Sequence, residues 1–191
     1  MKLLTLLLAC CVLFTTALLV ATQSARLPDI VARNASRWRP AAPAPGEIIG
    51  QARVVDGDSL VVAGAAVRIF GIDAPEWRQY CRGSDGLSYP CGRVAFRALM
   101  HRLRLAPVRC VPRTHDKFDR VIATCYQGKD DIARWMVREG LALDWPRYSG
   151  GVYGDAEGAA RDTARGLWRG RFVRPWDWRH RRKWSAVTSR L

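Results

Sequence analysis

The chain has 191 residues, of which 31 are lysine or arginine and 17 are aspartate or glutamate, so its formal net charge is +14. This length fits one domain with additional segments rather than two full domains. With 49% hydrophobic and 25% charged residues, the chain can form a core, which excludes wholesale disorder. The positive charge favours a polyanionic partner, such as nucleic acid or an anionic surface. Only four of the basic residues are lysines, however, and so strong an arginine bias also arises from genome composition alone.

The first 25 residues have the features of a secretory signal peptide. Lys2 is followed by an uncharged apolar run over residues 3–20 and then by small residues near a cleavage position. Because the run is also just long enough to cross a bilayer, an uncleaved anchor that attaches the protein to a membrane is the alternative. Both interpretations predict export, to the periplasm or the cell exterior. Residues 26–46, rich in proline and alanine, are predicted to be a linker.

Short β-type runs begin near residue 48. Residues 50–55 and 59–62 flank Asp56-Gly57-Asp58, a strong tight-turn signal, and residues 67–72 follow as a third strand. The next predicted elements are a helix, a hairpin and two further helices: 92–103, 108–111 with 121–126, 131–140 and 155–166. This order predicts an α+β, mainly β fold for residues 47–168, a five-stranded OB-type barrel with about three helices.

Four cysteines follow the leader, an even number that suits an oxidising compartment: Cys81, Cys91, Cys110 and Cys125. Four cysteines allow three connectivities. The spacing favours a Cys81–Cys91 bridge around a Gly/Ser/Pro-rich loop and a Cys110–Cys125 bridge between two apolar runs. The alternative, a zinc site, needs two close cysteine pairs, which this spacing does not supply.

Residues 169–191 are predicted to form a basic, Trp-rich C-terminal tail. Seven basic residues within 169–183 alternate with Phe172, Trp176 and Trp178, a mixture that can bind a nucleic-acid backbone and stack on bases. In that case residues 179–183 should contact only phosphates that are remote from the bond being cleaved, and should act through affinity. The alternative is a solvated end whose aromatic side chains partly pack on the domain.

Three clusters of charged residues lie at predicted strand ends or turns, where a scaffold can aim side chains at a cleft: 56–59, 68 with 73–76, and 116–120. Asp58 and Asp73 would offer hard oxygen ligands to Ca²⁺ or Mg²⁺, and a bound dication neutralises a phosphodiester. Glu76 could act as general base for an attacking water. Arg68 and Arg120 have the planar donor forks that suit the charge of a pentacoordinate phosphorus transition state.

Taken together, these clusters resemble the thermonuclease family, whose best-known member is staphylococcal nuclease. Residues 55–59 match its apolar-Asp-Gly-Asp-Thr run, and residues 68–76 match its Arg-x-apolar-x-x-apolar-Asp-x-Pro-Glu run. Residues 116–120 match its Asp-x-x-x-Arg run, and residues 136–142 match a helical segment. The similarity extends from about residue 50 to residue 168.

The resemblance implies an OB-fold nuclease with one Ca²⁺ ion per active site. The implied residues are the calcium ligands Asp58, Asp73 and the backbone carbonyl of Ala74, the base or water-orienting carboxylate Glu76, and the phosphate clamps Arg68 and Arg120.

Three positions depart from the family's pattern. Ser59 replaces the usual Thr and keeps the hydroxyl group. Ala74 replaces a common Thr, which keeps the carbonyl but loses a side-chain contact. Asp119 replaces the usual Gly before Arg120, which adds a carboxylate beside a phosphate-binding arginine.

The function predicted on this basis is calcium-dependent hydrolysis of phosphodiester bonds in DNA and RNA, with little sequence specificity, by an exported monomer. The first alternative is a non-catalytic nucleic-acid-binding OB-fold module at the cell envelope. A third interpretation is a basic envelope-anchored protein whose charge attaches it to anionic polymers. The carboxylates favour the enzyme, because a pure binder gains nothing from acidic groups that face a phosphate.

Overall fold

The computed structural model describes the backbone of residues 46–188 and the side chains of residues 46–181. The predicted leader and all of the predicted linker except residue 46 lie outside the described residues. Within residues 46–188, no helix is both long enough and apolar enough to cross a membrane. These residues belong to one compact unit, Pro43–Leu191.

The described strands, in chain order, are β1 Ile48–Gly50, β2 Ala52–Asp56, β3 Ser59–Val62, β4 Ala65–Ile69, β5 Ile72–Asp73, β6 Cys81–Arg82, β7 Ser88–Tyr89, β8 Val108–His115, β9 Val121–Gln127, β10 Asp130–Asp131 and β11 Leu143–Asp144. The α-helices are α1 Cys91–Leu103, α2 Ile132–Arg138, α3 Pro146–Ser149, α4 Gly154–Asp162 and α5 Pro175–Thr188, with a 3₁₀ helix at Gly166–Arg169.

The main sheet has the strand order β1-β8-β9-β4-β3-β2, and β10 pairs with β9. Its neighbouring strands are antiparallel except β4 and β9, which run parallel with Val67 opposite Val121. The two end strands of this path, β1 and β2, are separated in the chain by Gln51 alone. Because one residue spans only about 3.8 Å, the sheet must curl until its two edges approach each other.

This sheet corrects the number of strands in the predicted five-stranded OB-type barrel. Five of its seven strands are the predicted ones, but the hydrogen-bonded path through the described strands does not close. The sequence count missed β1 and β10, which have three and two residues and are too short to show an alternating pattern. The prediction of an α+β, mainly β fold agrees with the described elements.

The predicted helices also need correction in number and length. Helices α1, α2 and α4 match the three predicted helices, whereas α3 and α5 were not predicted. Helix α4 ends at Asp162 instead of residue 166, because the Thr163 hydroxyl donates to the carbonyl of Ala159 and Ala164 adopts a φ of 50°. Helix α5 occupies the segment predicted to be a tail.

The core lies between the sheet and the helices that cover it. Helix α1 contributes Ala95, Leu99 and Leu103, at intervals of four residues that place them on one face. They pack in one cluster with buried residues of the sheet, including Leu60 of β3 and Val67 of β4. Helix α2 is preceded by its N-cap residue Asp131, whose carboxylate accepts a hydrogen bond from the Arg134 amide at 3.1 Å.

Both favoured disulfides are present. Cys81 and Cys91 are bonded with their Cα atoms 5.6 Å apart, and this bridge ties β6 to the first residue of α1. Cys110 and Cys125 lie directly opposite each other in β8 and β9 and are bonded with a Cα–Cα distance of 4.0 Å. The predicted connectivity is therefore confirmed.

Reduction of the two disulfides is expected to destabilise the fold. Each bridge restricts the unfolded chain, and loss of one lowers the free energy of unfolding by about 2–4 kcal/mol. Denaturant unfolding of the oxidised protein and of the reduced, alkylated protein measures the difference. Two or more thiols that react in the folded, oxidised protein would contradict this pairing.

Candidate active site

The turn between β2 and β3 places the first predicted ligand. The Asp56 carboxylate accepts a hydrogen bond from the amide of Asp58 at 3.0 Å, which tightens the turn, and Asp58 is only 4% exposed. Gly57 is required because an added Cβ would lie 2.6 Å from the Cβ of Ala74. This close approach brings the turn against the loop that follows β5.

Strands β4 and β5 place Arg68 and Asp73. Arg68 lies opposite Ser59 in the β3–β4 ladder, and the chain then turns through Gly71, which has a φ of 75°. Asp73 follows in β5, pairs with Leu143 of β11 and is 0% exposed. The turn therefore sends Asp73 back beside Arg68.

Arg68 links the two predicted calcium ligands. Its Nη1 contacts Oδ1 of Asp58, and its Nη2 donates to Oδ1 of Asp73 at 3.2 Å and to the carbonyl of Ile72 at 3.1 Å. Burial lowers the pKa of the Arg68 guanidinium, and the charge of Asp73 opposes that shift. Asp58 and Asp73 thus lie close together around one arginine.

The loop after β5 carries Ala74 and Glu76. The Ala74 amide donates to Oδ2 of Asp58 at 2.9 Å, which ties to Asp58 the residue whose carbonyl was predicted to be a ligand. The Glu76 amide donates to Oε1 of Gln79 at 3.2 Å, and the Glu76 side chain is 35% exposed. Water can therefore reach the Glu76 carboxylate while the loop that carries it is held in place.

Arg120 lies at the start of β9, beside β4. Its Nε donates to Oδ2 of Asp116 at 2.7 Å, and its Nη1 donates to the hydroxyl of Ser59 at 3.2 Å. These hydrogen bonds to Arg120 hold the pKa of Asp116 below its ordinary value, against the opposite effect of burial. Ser59, which stands where the family usually has Thr, thus retains a hydroxyl group that accepts a hydrogen bond from Arg120.

Asp119 occupies a position where glycine has a conformational advantage. It adopts a φ of 62°, in the left-handed region that Asp tolerates better than most residues other than glycine. Its side chain is exposed. Arg120 pairs with Asp116, and no described hydrogen bond or ion pair joins Arg120 to the added carboxylate of Asp119.

The structure therefore brings the predicted side chains together beside the neighbouring strands β3, β4 and β9. Arg68 contacts both Asp58 and Asp73, and Glu76 lies on the loop that follows Asp73. Arg120 donates a hydrogen bond to Ser59, the residue next to Asp58. Within residues 46–188, no group of three or more His, Cys, Asp and Glu side chains has an arrangement that could hold a metal ion. A calcium site here would depend on two carboxylates and backbone or water oxygens, a hard donor set that suits this ion.

The site also contains two residues that sequence reasoning did not identify as site residues. Arg179 of α5 donates to both carboxylate oxygens of Asp73 and to Oε1 of Glu76, at 2.8–2.9 Å. Gln79, fully buried, connects the Glu76 loop to the carbonyl of Val173 at 2.7 Å. The expectation that residues 179–183 touch only remote phosphates is therefore wrong for Arg179. Nothing in the local sequence distinguishes it from the other basic residues of this segment.

Comparison with known proteins agrees with this arrangement. The family described as Staphylococcal nuclease homologue matches residues 66–170, more than half of the chain. The chain belongs to this family. Membership confirms the resemblance drawn from the three motifs and supports an OB-type fold. The match begins after Asp58, which the structure nevertheless places beside Arg68 and Ala74.

Proteins similar to this chain carry two kinds of name. The "Succinoglycan biosynthesis protein ExoI" of Rhizobium meliloti is 38% identical over 125 residues, which cover 64% of this chain and 65% of that protein. The "Probable endonuclease LCL3" of Arthroderma otae is 33% identical over 125 residues, which cover 58% of this chain and 43% of that protein. The protein of the same name from Paracoccidioides brasiliensis strain Pb03 is 31% identical over 120 residues, 54% of this chain and 34% of that protein. The chain thus spans less than two thirds of the length of these relatives.

Proposed function

We propose that this protein is a calcium-dependent nuclease that hydrolyses phosphodiester bonds in DNA and RNA with little sequence specificity. The observation that carries the proposal is the pair of buried carboxylates, Asp58 and Asp73, joined by Arg68 and adjacent to the half-exposed Glu76. Buried carboxylates are costly unless a positive partner compensates them, and a site with carboxylates beside phosphate-binding arginines is suited to metal-assisted phosphoryl transfer.

Each side chain has a separate part in the proposed reaction. Glu76, which water can reach, accepts a proton from the attacking water and directs it at phosphorus. Arg68 and Arg120 donate hydrogen bonds to the phosphate oxygens, whose negative charge grows as the water attacks. A bound Ca²⁺, held by Asp58, Asp73 and the carbonyl of Ala74, would neutralise phosphate charge and polarise oxygen ligands.

The lack of sequence specificity follows from what the site offers a substrate. Its donors are arginines, and phosphate contacts orient a nucleic acid without reading its bases. The overall charge of +14 adds a sequence-independent attraction to polyanions, which salt screens. DNA and RNA share the phosphodiester group that this chemistry addresses.

We also propose that the protein acts after export, in the periplasm or outside the cell. The leader-like residues 1–25 support this proposal, and two disulfides are typical of oxidising compartments. An uncleaved leader would instead keep the protein attached to the membrane.

One observation favours the alternative of a binding module without catalysis. Arg179 donates to both oxygens of Asp73 and to Glu76, and Arg68 contacts Asp58, so all three acidic groups are already paired with an arginine. A binding module would retain affinity for nucleic acid in calcium without cleaving it.

Removal of calcium is expected to abolish cleavage. The purified protein is incubated with supercoiled plasmid and, separately, with labelled RNA, in calcium and then after exhaustive chelation. We expect cleavage in calcium, its loss on chelation and its return when calcium is added back. Zinc should not restore it, because the site offers oxygen rather than nitrogen or sulfur ligands. Full activity after chelation would exclude calcium dependence, and binding without cleavage in calcium would favour the binding module.

A further inference from the structure

Arg179 is hydrogen-bonded to two of the three acidic side chains of the site, Asp73 and Glu76. Its Nη1 donates to Oδ1 of Asp73 at 2.9 Å and to Oε1 of Glu76 at 2.8 Å, and its Nη2 donates to Oδ2 of Asp73 at 2.8 Å. A guanidinium with this bidentate geometry forms the strongest kind of side-chain ion pair. The Asp73 side chain is 0% exposed and the Arg179 side chain is 33% exposed, so solvent screens the pair only in part.

Packing, rather than this ion pair alone, places helix α5 over the site. The backbones of Arg82 and Arg171 exchange hydrogen bonds of 2.8 and 3.0 Å, and Gln79 donates to the carbonyl of Val173. At the start of the helix, Trp176 stacks on Trp145 with ring centroids 5.7 Å apart and planes 10° from parallel. The segment before Arg179 is thus anchored at three points.

The charges in the site show what Arg179 replaces. Asp58, Asp73 and Glu76 together carry a formal charge of −3, and Arg68 contributes +1. The remaining −2 is what one divalent cation would neutralise. Arg179 cancels half of it through its ion pairs with Asp73 and Glu76.

We propose that Arg179 is a tethered competitor of the metal ion: its guanidinium holds Asp73 and Glu76, and a divalent cation must displace it to bind Asp73. Helix α5 thereby lowers the affinity of the site for metal and keeps the nuclease inactive at low calcium. This inference rests on the proposed function, because it requires a metal at Asp58 and Asp73. In this inference, residues 175–181 of the tail make an inhibitory contact through Arg179 and do not serve to bind remote phosphates.

The first test measures metal binding itself in the full chain. Calcium binding is followed by titration calorimetry, and terbium binding by luminescence, for the wild type, Arg179→Gln and Arg181→Gln. Arg181 is exposed, lies two residues further along the same helix and gives the same change in net charge. We expect Arg179→Gln to bind both ions about tenfold more tightly than the wild type, within the usual range of coupling between two ligands. Arg181→Gln should bind like the wild type.

A second variant loosens the helix and leaves Arg179 in place. Trp176→Ala removes the stacking on Trp145, so the helix docks less firmly and competes less well. We expect metal binding tighter than in the wild type but weaker than in Arg179→Gln. Far-ultraviolet circular dichroism of each variant without metal shows that the fold is retained.

The outcomes separate this inference from the proposed function. If Arg179→Gln binds metal as the wild type does, or more weakly, the competition is wrong while a calcium-dependent nuclease stands. If neither protein binds metal at millimolar concentration, both the inference and the calcium dependence are wrong. A common increase of affinity in Arg179→Gln and Arg181→Gln would indicate only the change in net charge and would also overturn the competition.

Discussion

Replacement of Glu76 by glutamine is expected to lower kcat for cleavage of a labelled single-stranded DNA by about a hundredfold or more, the range typical of a lost general base. Glutamine keeps the shape of the side chain and can still accept a hydrogen bond from Arg179, but it does not take a proton from water. The loop around it should keep its conformation, because the backbone amide of Glu76, which the substitution leaves in place, donates to the side-chain Oε1 of Gln79. The effect should therefore fall on kcat and leave the KM for DNA nearly unchanged.

Glu139→Gln is a matched control for this experiment. The Glu139 side chain is 32% exposed, compared with 35% for Glu76, and it also accepts a hydrogen bond from an arginine, Arg165 at 2.7 Å. This control loses one carboxylate in an ion pair outside the site, so its kcat should match that of the wild type. If Glu76→Gln kept the kcat of the wild type, Glu76 would not be the general base. An equal decrease of kcat in Glu76→Gln and Glu139→Gln would indicate a general electrostatic effect.

Replacement of Arg120 by alanine is expected to lower kcat by about a hundredfold, the range typical of one lost donor to a developing oxyanion. Arg120 is held by Asp116 and by the Ser59 hydroxyl, so its guanidinium is oriented before substrate binds. The charge on the phosphate oxygens grows as water attacks. A group that stabilises this growing charge affects turnover more than binding.

Steady-state kinetics on the same DNA at two salt concentrations separates the two effects. Arg134→Ala is the control, since Arg134 is similarly paired, with Asp155 at 2.6 Å, but lies on α2. Its kcat should be unchanged and its KM should rise slightly at low salt, because it removes one surface charge. If Arg120→Ala changed only KM, in the same way as this control, Arg120 would act through electrostatic attraction and not on the transition state.

Several parts of the site could be predicted because neighbouring residues determine them. The Asp56-Gly57-Asp58 turn follows from a hydrogen bond within three residues, from the Asp58 amide to the Asp56 carboxylate. The Asp116–Arg120 turn is likewise closed by its own carboxylate. Each disulfide joins cysteines only 10 or 15 residues apart, so the spacing was informative.

The counts of strands and helices were predicted less well. Strands β1 and β10 are too short to display a period, and their existence depends on pairing with β8 and β9. Helix α5 has a strongly basic sequence, which by itself indicates a solvated segment. Its start is nevertheless anchored to the domain by Trp176 on Trp145 and by Gln79.

The sequence by itself determined which chemical groups this protein has and their local conformations, including acidic turns, strand ends with arginines and paired cysteines. The tertiary structure alone decided which of these groups meet. Arg68 and Arg120 are neighbours because β4 and β9 pair in parallel, with Arg68 opposite Ile122. Arg179 reaches Asp73 across a separation of 106 residues. The physical reason is that turns and caps are stabilised by interactions between near neighbours, whereas contacts between distant segments depend on how the whole chain buries its apolar surface.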